Sequence, residues 1–169
     1  MAESVDLLKL GSEALYFEEP CAPEVEALIA EASHHYGEDR AERCLLRAYF
    51  LAPEQLSVLV AMYRYWFYRH RLEDALVVAE RALEVTARRL SLVGGWRNFG
   101  RASLGEAVVQ SMGLLRFHLL ALKASAVVLL RLGRLDEAHR RLSKIAEIDE
   151  RDALGVSSLL EVIAACQAP

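Results

Sequence analysis

The sequence predicts an all-α protein built from repeated helical hairpins. Three observations carry this. Apolar residues recur every three or four positions along nearly the whole chain, the spacing of one helix face. Glycine and proline are sparse, 9 and 4 in 169 residues, and fall mostly between the periodic segments. Small residues also return at a fixed interval: 34 residues separate Ala41 from Ala75, and 34 separate Ala48 from Ala82. No segment has the alternation of a strand.

The elements follow in order. Residues 4–17 form an N-terminal helix with Ser4 as its N-cap. "EEPCAPE" interrupts it, and Pro23 suits the first turn of the next helix, which runs to Tyr36 and stops at Gly37. A helix over 38–51 ends before Pro53. Helices over 54–70 and 72–89 come next, and "SLVGGWRNFGRAS" reads as a loop. Ser103 with Glu106 has the spacing of a capping box opening a long helix. Gly133 separates that helix from one over 134–148, and "DERD" leads into a last helix over 152–167.

The alanine pattern has a packing reason. Small side chains let two antiparallel helices approach closely, and larger apolar residues fill the space to the next pair, so each pair buries its face only by stacking on a neighbour. "AERCLLRAYFLAPE" (Ala41, Leu45, Ala48, Pro53) and "LEDALVVAERALEV" (Ala75, Ala79, Ala82) give two copies. "LGRLDEAHRRLSKIAEIDERD" (Gly133, Leu135, Ala138, Leu142, Ile145) gives a third, displaced by 29 residues beyond one period. The chain resembles the tetratricopeptide repeat family over residues 23–151, better in the second helix of each pair than in the first. The resemblance implies one repeat domain over 1–169, with repeats at 23–53, 54–89 and 114–151, an insertion at 90–113 and a C-terminal capping helix. Tyr63 stands where the family has a small residue, and the proline that ends repeats is missing from the second and third copies.

"MYRYWFYRHR", residues 62–71, sets five aromatic and three arginine side chains in ten positions. Its aromatics cover more than one helix face. Tyr63 and Trp66 read as core. In the repeat register, first helices line a concave groove, so Ser57, Val60, Arg64, Phe67 and Tyr68 point there, as do Lys123, Val127 and Arg131 of the third copy. Arg64, Phe67 and Tyr68 are therefore candidate partner-binding residues. A second candidate is the "GGWRNFGR" segment, where Trp96, Arg97, Phe99 and Arg101 offer residue types favoured at interface hot spots. The competing expectation is that Trp96 and Phe99 fold back over the helix ends.

Several chemistries are absent. The net charge of −4 lacks the basic surplus of a nucleic-acid binder. The glycines of 95–100 mimic a phosphate loop, but Arg101 and Ala102 replace its lysine and hydroxyl residue and no strand precedes it. The five histidines (34, 35, 70, 118 and 139) form no metal-ligand spacing, and His118, in an apolar helix, reads as a core histidine. Cys21, Cys44 and Cys166 lie far apart, without a nucleophile signature, and suit a reducing cytoplasm. The apolar stretch 119–133 carries Lys123 and Arg131 and reads as a buried helix rather than a membrane span. Neither a cofactor nor catalysis is expected.

What remains is a protein-binding module. The carboxylate clamp of chaperone-binding repeat proteins needs lysines and asparagines, and Asn98 is the sole asparagine, so that specialisation does not fit. The aromatic, arginine-bearing insertion before "LLRLGRLDEA" is similar to that of the small tetratricopeptide-like nitrogenase-associated factors of bacterial nitrogen-fixation systems. That resemblance implies binding to the nitrogenase molybdenum–iron protein in assembly, protection or repair. A secretion-type repeat chaperone is the alternative, though the long insertion departs from it. A self-associating scaffold, using Leu159, Leu160, Val162 and Ile163 as a dimer face, is another.

Overall fold

A computed structural model describes residues 19–167, and the helix expected over 4–17 lies outside them. The described residues are helical with turns and contain no strand. They fall into two compact units, one within Glu18–Ala82 and one beginning at Leu83.

The first unit holds α1 (Pro23–His34), α2 (Asp39–Leu51), α3 (Leu56–Tyr68) and the start of α4 (Leu72–Arg89). Pro23 opens α1, where its missing N–H costs nothing. α1 and α2 pack as a hairpin that buries Val25, Leu28 and Ala32 with Ala41, Cys44, Leu45 and Ala48. The α3 N-terminus is capped from a distance, because a Glu19 carboxylate oxygen accepts the Leu56 N–H at 3.1 Å. The alanines at 34-residue spacing are inside: Ala41, Ala48 and Ala75 have no exposed surface, and Ala82 is buried, as is Ala79.

The second unit contains the end of α4, a short 3-10 turn (Gly95–Arg97), α5 (Arg101–Arg131), α6 (Leu135–Ile148) and α7 (Ser157–Gln167). α5 and α6 form its main hairpin, with Ala138, Leu142 and Ile145 buried. The loop expected over 91–103 is turn and 3-10 helix as far as Gly100, and the long helix opens earlier than expected. α5 begins at Arg101, and Ser103 lies in its first turn instead of capping it. The capping serine is Ser111, whose extended backbone (φ −166°, ψ 109°) kinks the helix and whose Oγ accepts the Leu114 N–H at 3.1 Å. α7 also starts later than expected. The Asp152 carboxylate accepts the Val156 N–H at 2.7 Å, the Ser157 N–H at 3.2 Å and the Ser157 hydroxyl, so α7 opens at Ser157.

Ser111–Arg131 is long and apolar enough to cross a membrane by length and composition, a longer run than the sequence suggested. It is mostly buried within the protein and carries His118, Lys123 and Ser125 inward, which marks it as a core helix.

Two hairpin turns close by the same bonds. The Arg71 N–H donates to Trp66 O and the Arg134 N–H to Leu129 O, each at 2.9 Å, after a left-handed residue, His70 (φ 57°) or Gly133 (φ 75°). Nothing lies within 4 Å of where a Gly133 side chain would begin, so only backbone strain opposes one. Gly133→Ala is expected to lower the unfolding free energy in urea by about 1 kcal/mol, with helicity retained.

Candidate functional site

Folding divides the aromatic stretch into two sets. Tyr65 and Trp66 are buried, with their rings edge-to-face at 4.7 Å. Tyr36, in the turn between α1 and α2, meets Tyr65 edge-on at 5.9 Å. Arginines cover this pair. Arg71 lies 4.3 Å over the Trp66 ring and Arg69 lies 5.8 Å over Tyr65. Arg71 also donates to Asp74 at 2.7 Å and to Glu42 of α2 at 3.0 Å, and these carboxylates hold its pKa above the usual arginine range. Arg69 donates to the Gly37 carbonyl at 3.1 Å. Two of the three arginines thus tie hairpin ends together.

The second set is a ladder on α3. Tyr63 and Phe67 stack at 5.6 Å, and Phe67 meets Tyr68 edge-on at 5.7 Å. Phe67 and Arg64 are half-buried, and Tyr68 is 38% exposed. Of the two residues expected in the core, Trp66 is buried and Tyr63 only half-buried. Tyr65 takes the buried place that the sequence reading gave to Tyr63. In the third copy Lys123 does not line a groove. It is 4% exposed and donates to the Leu154 carbonyl in the turn before α7, where burial lowers its pKa against the opposing pull of Asp152 and Asp149.

In the 94–101 segment both large aromatics are buried. Phe99 is 1% exposed and faces His118 edge-on at 6.3 Å. Trp96 is buried, with two guanidinium groups over its ring, Arg97 at 4.8 Å and Arg141 of α6 at 5.2 Å. Gly94 (φ 79°) makes the turn, and a side chain there would meet Asn98 at 2.0 Å. Arg97 is exposed. Arg101 opens α5, and its side chain lies outside the described residues. Of the four candidates in this segment, Arg97 is the one with a described, exposed side chain.

His118 is a core histidine with a particular constraint. It is fully buried, its Nδ1 lies 2.7 Å from the Thr86 hydroxyl, and its Nε2 has no hydrogen-bond partner. Thr86 also donates toward Leu83 O at 3.3 Å. A charged imidazole would bury an unmatched Nε2–H, so burial pulls the pKa down to about 4. Among the described residues no group of three or more His, Cys, Asp or Glu side chains is arranged to hold a metal ion. The cysteines are free thiols, Cys44 buried, Cys21 half-buried and Cys166 exposed. The sequence reading also passed over an outward stripe on α2 that carries Phe50, the most exposed large apolar side chain of the first unit.

These features define an all-helical protein with partly exposed aromatic side chains on α3. No known family profile and no solved structure matches the chain. It is 44% identical over 160 residues, 95% of its length and 89% of the relative's, to an "Uncharacterized 19.8 kDa protein in nifW 5'region" of Azotobacter chroococcum mcd 1. The chain belongs to the family of this nif-region protein.

The His118 site makes a pH prediction. The folded protein keeps this ring neutral down to about pH 4, whereas the unfolded chain takes up the proton near its ordinary pKa of 6.5. The stabilisation is complete above pH 6.5 and lost as pH falls from there toward 4, at about 1.4 kcal/mol per pH unit, or about 3 kcal/mol in all. Urea unfolding across that range should show this slope, and His118→Phe should flatten it.

Proposed function

We propose that this protein is a non-catalytic, tetratricopeptide-like adaptor of the bacterial cytoplasm that binds a nitrogen-fixation protein. The candidate partner is the nitrogenase molybdenum–iron protein, and the role is assembly, protection or repair. The single observation that carries the reading is the Tyr63–Phe67–Tyr68 ladder on α3, left at the surface after Tyr65 and Trp66 go inside. Aromatic rings supply large contact area at low entropic cost, which is why they anchor protein interfaces. Arg64, half-buried on the same helix, adds a planar donor. Arg97 is a further candidate contact, with Trp96 and Phe99 holding its turn in place. The buried alanines at 34-residue spacing support the repeat reading, and the gene position printed for the relative supports the nitrogen-fixation setting.

Anaerobic affinity purification of the tagged protein from its own nitrogen-fixing cells tests this. The expected result is co-purification of the molybdenum–iron protein in a fixed ratio, lost in a Phe67→Ala/Tyr68→Ala variant of normal helicity. Recovery of secretion proteins, or of the adaptor alone, contradicts it.

A further inference from the structure

A second exposed surface lies on α2. The buried face of this helix is Ala41, Cys44, Leu45 and Ala48. Helical geometry then puts Arg43, Leu46, Arg47 and Phe50 on one outward stripe, at successive spacings of three, one and three residues. Phe50 is 86% exposed and Leu46 is 48% exposed. The arginines border a shallow groove of about 360 Å³ between α1 and α2, lined by Leu28, Glu31, Arg40, Arg43, Cys44 and Arg47. The surface joins an apolar ridge to a cationic trough.

The charges define the occupant. Arg40 pairs with Glu31, and Arg47 with Glu24 at 2.8 Å, both pairs with solvent-exposed side chains. Such pairs contribute little, so an incoming carboxylate can replace either acid at small cost. Arg43 is exposed and has no acidic partner among the described residues. A second copy of this chain would bring arginines against arginines, which disfavours self-pairing through this face. An acidic partner gains charge complementarity, and an apolar anchor on it would cover Phe50 and Leu46.

We propose that the Arg43–Leu46–Arg47–Phe50 face of α2 docks an acidic, amphipathic segment of the partner protein, its carboxylates on Arg43 and Arg47 and its apolar side chain on Leu46 and Phe50. The proposal rests on the adaptor reading and names a contact separate from the α3 ladder.

Site-specific photo-crosslinking in nitrogen-fixing cells tests it, with Phe50→p-benzoylphenylalanine on α2, Tyr68→p-benzoylphenylalanine on the ladder and Val109→p-benzoylphenylalanine as a position in the other unit. Position 50 should crosslink one protein through a segment rich in Asp or Glu. The yield should fall about tenfold or more in Arg43→Glu/Arg47→Glu and less in Arg43→Gln/Arg47→Gln, with circular dichroism unchanged. If position 68 captures a protein partner and position 50 does not, the α2 surface is wrong and the adaptor reading stands. Adducts at position 50 with a second copy or with RNA overturn the surface as well. No protein adduct at any position overturns both.

Discussion

Arg71 stands at the point on which the first helical unit depends. Its guanidinium lies on Trp66, bonds Asp74 at the start of α4 and reaches Glu42 on α2. A single planar cation therefore joins three helices around a buried indole. The position is fixed by the hairpin turn, because left-handed His70 lets the Arg71 N–H reach Trp66 O. Arg69 repeats the device on Tyr65 and Gly37. Arginine suits this work better than lysine, since its flat face stacks while its edge donates in several directions.

The consequence is a structural division within one sequence. The same ten residues that mix aromatics with arginines provide both the clasp and the ladder. Tyr65 and Trp66 are buried under Arg69 and Arg71, while Arg64 and Phe67 stay half-buried and Tyr68 exposed. A corresponding division holds at residues 94–101, where Trp96 and Phe99 fix the turn and Arg97 stays outside. In both places the largest aromatic supports the surface instead of forming it.

Much of the fold was legible because helix packing leaves a periodic trace. The alanines at 41, 48, 75, 82 and 138 are all buried, and the hairpin helices begin and end within a few residues of their expected limits. The kink inside α5 was not legible, because its capping residue, Ser111, lies within a run that reads as continuous helix. Lys123 reads as a groove residue by register alone. Its burial depends on the turn around Leu154, a contact 31 residues away. Tyr65 and Tyr63 are two positions apart, about 200° around the helix, and the buried one, Tyr65, is the one that meets Tyr36 from outside the stretch. The α2 stripe, by contrast, could have been found. Once Ala41, Leu45 and Ala48 define the inner face, Phe50 must point away from it.

The arginine–aromatic clasp is structural. A double-mutant cycle across Arg71 and Trp66, with Arg71→Met and Trp66→Leu, measures it directly by urea unfolding. The expected coupling is about 1 kcal/mol, the scale of a partly buried cation–π pair. A coupling near zero, together with loss of partner binding in the stably folded Arg71→Met protein, would contradict it and return Arg71 to the recognition surface.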